Sequence, residues 1–118
     1  MSPVKRSVRM AEALREELGR LLLLGVKDPR VHGVVVTAVK LTDDLREARV
    51  YFVVEGGATD ERLAEVREGL EKVKGFLRRE VGKAIRARTT PDLHFHFDES
   101  IARGAHIERL LDEIRRER

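Results

Sequence analysis

Apolar residues recur along this chain with two different periods, and the change of period divides it into elements. Between residues 4 and 24, Val4, Val8, Ala11, Leu14, Leu18, Leu21 and Leu22 fall three or four apart, with Lys5, Arg6, Arg9, Glu12, Glu16 and Arg20 off that face. This is the stripe of an amphipathic helix. Gly25 is a natural stop, and Asp28-Pro29 prevents continuation. The unbroken run Leu21 to Leu24 predicts a helix end covered on more than one side. Residues 26–33 read as a loop. Val34 to Thr42 and Arg46 to Glu55 are then rich in β-branched residues, and the short link Asp43-Asp44-Leu45 predicts an antiparallel hairpin. In the second run Ala48, Val50, Phe52 and Val54 alternate with Arg49, Tyr51, Val53 and Glu55, so the first set faces the core. The first run is apolar on both phases, which predicts a central strand.

The helical period returns after Gly56-Gly57-Ala58, with Thr59 or Asp60 able to cap it. Leu63, Val66, Leu70 and Val73 give a stripe that stays in phase through Leu77, Val81 and Ala84, so periodicity draws one helix from 60 to 87. Such a rod is roughly 42 Å long, against a radius of gyration of about 13–14 Å for a compact chain of this length. A bend is expected, with Gly69, Gly75 and Gly82 as candidates. Thr89-Thr90-Pro91 ends the pattern. Leu93, Phe95 and Phe97 then alternate with His94, His96 and Asp98, as in a half-buried strand. Ser100 or Gly104 opens a last helix with Ile107, Leu110, Leu111 and Ile114 inside, and the charged tail from Glu113 to Arg118 reads as frayed. The order is α-β-β-α-α-β plus a C-terminal helix. It predicts an α+β fold in which helices cover one face of a three-stranded sheet and leave the other partly open.

Composition narrows the function. A chain of 118 residues is one domain's worth, and it holds no apolar run long enough to span a bilayer. Its first residues lack the apolar core of a signal peptide. With no cysteine, disulfides, zinc ribbons and thiol catalysis are excluded, and a cytosolic location fits. Charge is concentrated. Lys72, Lys74, Arg78, Arg79, Lys83, Arg86 and Arg88 stand against one acid, Glu80, so residues 72–88 carry +6 in a chain of net +3. A helical surface of that charge suits nucleic acid or an anionic membrane. A membrane-surface helix normally places several aromatics at the lipid boundary, and this stretch has only Phe76, so no membrane role is expected.

Other chemistry finds little footing. His94, His96 and Asp98 share a strand face, but strand side chains project side by side rather than converging on a metal, so no metal site is expected. No phosphate-cradling glycine motif is present, no serine stands in a nucleophile elbow, and no small-molecule substrate or cofactor is implied. The element order is that of a type II KH domain, yet no two glycines stand three apart to form its G-x-x-G backbone clamp. Reading of RNA backbone and shape fits these residues better.

The chain resembles the bacterial ribosome-binding factor A family. The resemblance rests on Arg9-Met10 with Leu14 and Leu18, then Asp28-Pro29-Arg30, then Val39 through Asp44-Leu45 to Ala48-Arg49-Val50-Tyr51. It continues through Gly75-Phe76-Leu77-Arg78, Arg88 with Pro91, Leu93 with Phe95, and Asp98-Glu99-Ser100, spanning about residues 6–114. It implies a KH-like fold whose two central helices meet at a kink, at Val73-Lys74-Gly75 here, with Val73 replacing the family's alanine. It further implies a non-catalytic cytoplasmic factor that binds the free 30S subunit near the 16S rRNA 5′ region and neck. Such a factor assists 5′-end processing and matters most in the cold. The seven basic residues above are expected to hold rRNA phosphates, helped by Lys5, Arg6, Arg9 and Arg30. A monomer is expected, because no apolar stripe is left over. The competing expectation is a protein-interaction module whose basic helices dock on an acidic protein.

Overall fold

The computed structural model describes residues 6–86 and 88–116. Helix α1 spans Arg6–Arg20 and runs into a π-helical turn, Leu21–Gly25, before Val26 turns extended. A 3-10 turn at Pro29–Val31 leads to β1 (Val34–Leu41) and β2 (Glu47–Val54). Helix α2 (Asp60–Ile85) follows, then β3 (Asp92–Phe97) and α3 (Glu99–Arg116). The architecture is α+β and KH-like.

The hairpin is antiparallel as expected, with Val39 opposite Val50 and Leu41 opposite Ala48. β3 joins it parallel, setting Val50 against Phe95, so the sheet is mixed. The strand order β1-β2-β3 corrects one expectation: the central strand is β2, and β1 is an edge. A parallel partner needs a long crossover, and α2 supplies it by carrying the chain across one face to the free edge of β2. The two apolar phases of β1 are therefore only half used. Val36 is buried, while Val35 lies exposed.

The core is built as the alternation predicts. Ala48, Val50, Phe52 and Leu93 from the sheet meet Leu14, Leu18, Val66, Leu70, Leu77 and Val81 from the helices, all essentially without solvent contact. Thr59 caps α2, its hydroxyl accepting the Arg62 amide.

Several expectations need correction. Val8 is exposed, because it lies roughly 90° around the helix from the centre of the buried stripe. Leu21 and Leu22 are buried but Leu23 and Leu24 are 80% and 74% exposed. Four consecutive helical residues point all round the axis, and only one side of this turn meets the core. Ala84 is also exposed. Helix α2 is one continuous element, and the kink position expected at Val73 and Gly75 lies within it. The molecule is elongated, 57 × 42 × 20 Å with a radius of gyration of 16.2 Å, so the compact dimension from which the bend was argued is not the one observed.

Two of the candidate bending glycines stand at close approaches. A Cβ on Gly69 would stand 2.8 Å from Arg30 Cβ and 2.9 Å from Val31 Cγ1, and one on Gly82 would stand 2.5 Å from Thr90 Oγ1. The last helix departs furthest from expectation. It starts at Glu99 behind an Asp98 cap, and Ile107, Leu110, Leu111 and Ile114 are all exposed, not inside. Ala102 and Ala105 line the cleft between α3 and β2, and helical spacing puts the four large residues on the opposite side. An apolar stripe is thus left over, which removes the ground for expecting a monomer. Of the charged tail, residues 113–116 continue this helix, and residues 117–118 lie outside the described residues.

Candidate nucleic-acid interface

The buried stripe of α2 fixes where its charges go. With Val66, Leu70, Leu77 and Val81 inward, spacings of seven and four put Lys72, Arg79 and Lys83 on one outward face. Glu61, Glu65 and Glu68 precede them along the same face, so the rod is acidic in its first half and basic in its second. Arg86 closes the helix in a left-handed conformation (φ 51°), with Arg88 exposed just beyond. The acidic end lies near the positive pole of the helix dipole, and Lys83 lies in the last turn near the negative one, a favourable placement for both.

The seven basic residues of this stretch are not equivalent. Lys83 reaches Glu80 at 3.6 Å and Lys74 reaches Glu71 at 3.6 Å, ordinary one-turn surface pairs of small worth. Arg78 leaves the row. Its guanidinium donates to the Thr90 and Pro91 carbonyls at 2.9 and 3.3 Å and lies 3.4 Å from Asp92, clasping the turn that leads into β3. On α1, Arg6 and Arg9 are exposed and one turn apart. Lys5 lies outside the described residues.

Arg30 is committed locally. Asp28 Oδ1 accepts its backbone amide at 3.0 Å and its Nε at 3.1 Å, while Oδ2 accepts Nη2 at 2.8 Å. These bonds hold the Asp28 carboxyl down at about 2, the Arg30 side-chain bonds being the main cause. The Arg30 carbonyl in turn accepts from Arg62. The Asp28-Pro29-Arg30 motif is therefore a staple seated on α2 at Gly69.

A second surface, which the charge pattern of the sequence does not single out, is the open face of the sheet. Lys40, Arg49 and His94 stand side by side in register across β1, β2 and β3. In the next row Tyr51 and His96 bring their rings to 5.6 Å between centroids, and Lys40 Nζ lies 5.6 Å from the Tyr51 ring. A cleft of ≈ 450 Å³ is lined by Lys40, Arg49, His94 and His96, with Glu47 at its side. The alternation of each strand puts these residues on the outward face. What it lacks is the register that makes them neighbours. Asp98, grouped with the two histidines in sequence, turns instead to Thr37 and Ser100. Among the described residues no cluster of three metal-ligating side chains forms. No described helix is long and apolar enough to cross a membrane.

The family model for ribosome-binding factor A matches residues 6–111. The chain is 47% identical over 110 residues to ribosome-binding factor A of Syntrophobacter fumaroxidans, covering 93% of this chain and 94% of that protein. It is 50% identical over 117 residues to the protein of the same name from Anaeromyxobacter dehalogenans, covering 98% and 83%. Among solved structures it is similar to the crystal structure of ribosome-binding factor A from Thermus thermophilus, with TM-score 0.67, 22% identity and coverage of 77% and 93%. It is also similar to the solution structure of a putative ribosome-binding factor A from Thermotoga maritima, with TM-score 0.56, 30% identity and coverage of 81% and 90%. A Thermus thermophilus homology model fitted into a cryo-EM map of a 30S–ribosome-binding factor A complex matches with TM-score 0.57, 23% identity and coverage of 80% and 92%.

Proposed function

The chain belongs to the ribosome-binding factor A family, and on that premise we propose that it binds the free 30S subunit and assists its late maturation. In this reading it contacts 16S rRNA near the 5′ region and neck, supports 5′-end processing, and acts in the cytoplasm as a non-catalytic factor whose need is greatest in the cold. The observation that carries the RNA contact is the outward row Lys72, Arg79 and Lys83, continued by Arg86 and Arg88. It is a cationic ridge with the core on its far side. Phosphates spaced along an RNA backbone are the natural complement of such a ridge. Lys74 flanks the row. Arg6 and Arg9 extend positive charge onto α1, as Lys5 would. Arg78 and Arg30 contribute by holding their loops in place.

Co-sedimentation with purified 30S, 50S and 70S particles at two salt concentrations tests this reading. Salt-sensitive binding to free 30S alone is expected. Equal binding to all three overturns it, and binding that survives removal of the RNA points to an acidic protein partner instead.

A further inference from the structure

On an open sheet face, neighbouring strands usually set unlike charges or β-branched pairs opposite one another, because like charges placed directly opposite destabilise the sheet. Here Lys40 is the direct partner of Arg49, and Arg49 the direct partner of His94. The like-charged pair Lys40–Arg49 has no such structural merit. The nearest acid is Glu47, 3.6 Å from the His94 imidazole. Beside the row stand two exposed or half-exposed rings, Tyr51 and His96, with the Lys40 ammonium over the Tyr51 face. The cleft lined by Lys40, Arg49, His94 and His96 falls within the volume range of ligand clefts. Aromatic faces adjoining cations are what an unstacked nucleotide needs: the base stacks on a ring and its phosphate meets the charge.

We propose that the open sheet face is a stacking platform for single-stranded RNA. A base lies against Tyr51 and His96, and the flanking phosphates lie on Lys40 and Arg49. The platform is additional to the helical ridge and rests on the RNA-binding reading above.

The chain has one tyrosine and no tryptophan, so its intrinsic fluorescence reports on Tyr51 alone. The probe is a single-stranded oligouridine of about eight nucleotides, titrated at low salt into the full chain. Quenching is expected, with no quenching by a duplex RNA of equal length. By anisotropy of the labelled oligomer, Arg49→Glu and Tyr51→Leu are each expected to weaken binding roughly tenfold, as loss of one phosphate contact or one stacked base does. Circular dichroism checks that each variant folds, and the quenching of the parent chain needs no variant. If anisotropy rises while fluorescence stays constant, RNA sits on the ridge only and the platform is overturned. Failure of the oligomer to bind overturns it as well. The same preparation is sedimented with 30S particles. Co-sedimentation without quenching sinks the platform and spares the proposed function, and quenching without co-sedimentation does the reverse.

Discussion

The Asp98 carboxylate, just past the end of β3, accepts the Thr37 hydroxyl of β1 at 2.7 Å, although the two lie 61 positions apart and strand β2 runs between β1 and β3. A bulge makes the bond possible. The register of β1 shifts between Val36 and Ala38, leaving Thr37 without a partner on β2 and free to reach across. Asp98 also accepts the Ser100 hydroxyl at 2.7 Å and the Ile101 amide at 3.2 Å, so one carboxylate ties the sheet to the start of α3. Thr37→Val, which keeps the shape and removes the donor, is expected to cost about 1 kcal/mol. Asp98→Ala is expected to cost more and to lower helix content. Urea unfolding followed by circular dichroism measures both, and equal losses for the two variants would show that the cap adds nothing.

Acid should act through Asp28 and Asp98. Hydrogen bonds hold the Asp28 carboxyl at about 2, and those from Thr37 and then Ser100 hold Asp98 below the ordinary value. Both native-state values are depressed, so the stabilisation is complete above the unfolded-state value near 3.9. It is lost as pH falls below that, down to about 2 for Asp28. Carboxyl carbon NMR titration is expected to show Asp28 still ionised at pH 3, and a midpoint near 4 would mean that the staple does not hold in solution.

Gly69 and Gly75 look alike in the sequence, two helical glycines proposed as bends. Space separates them. Alanine at 69 drives a methyl into Arg30 and Val31, whereas alanine at 75 meets nothing within 4 Å. Gly69→Ala is expected to destabilise by about 1–3 kcal/mol despite alanine's better helix propensity. Gly75→Ala is expected to stabilise by up to about 1 kcal/mol, a thermal shift of about 3–6 °C. A loss of stability at Gly75→Ala would mean that the helix needs flexibility there after all.

These glycines also mark where the sequence stops being legible. The period-2 and period-3.6 patterns located the three strands and the three α-helices, because Ala48, Val50, Phe52, Leu14, Leu70 and Leu77 each obey a local rule about one face. Local rules say nothing about which strand becomes central, since the position of β3 depends on where α2 delivers it. They also assume that an apolar stripe is buried within its own chain, which α3 contradicts. The candidate site was legible as charge but not as role. Arg78 and Arg79 are adjacent and identical, and only the fold shows that one clasps the Thr90-Pro91 turn while the other faces outward.

Helix α3 buries none of its residues, so it should contribute little to the rest of the fold. A chain ending after Ser100, which keeps Asp98 and its bonds to Thr37 and Ser100, is expected to melt within about 3 °C of the full protein. Differential scanning calorimetry measures this. A drop beyond about 10 °C would show that α3 covers part of the core.

The division between Arg78 and Arg79 gives a test that separates binding from folding. Arg79 is exposed and, among the described residues, forms no ion pair, so Arg79→Glu should leave the melting temperature unchanged. If it holds an RNA phosphate, affinity for 30S should fall, and the slope of log affinity against log salt should flatten by about 0.7. Arg78→Glu removes two bonds to backbone carbonyls and sets a second acid beside Asp92, so it should lower the melting temperature by about 3 °C or more. Arg78→Lys keeps the charge but loses the paired donor geometry, and should unfold nearly as readily. Melting curves and sedimentation at three salt concentrations for the three variants supply both readouts. Unchanged 30S affinity in Arg79→Glu removes this residue from the interface. An unchanged salt slope alongside a loss of affinity means that it acts on something other than phosphate.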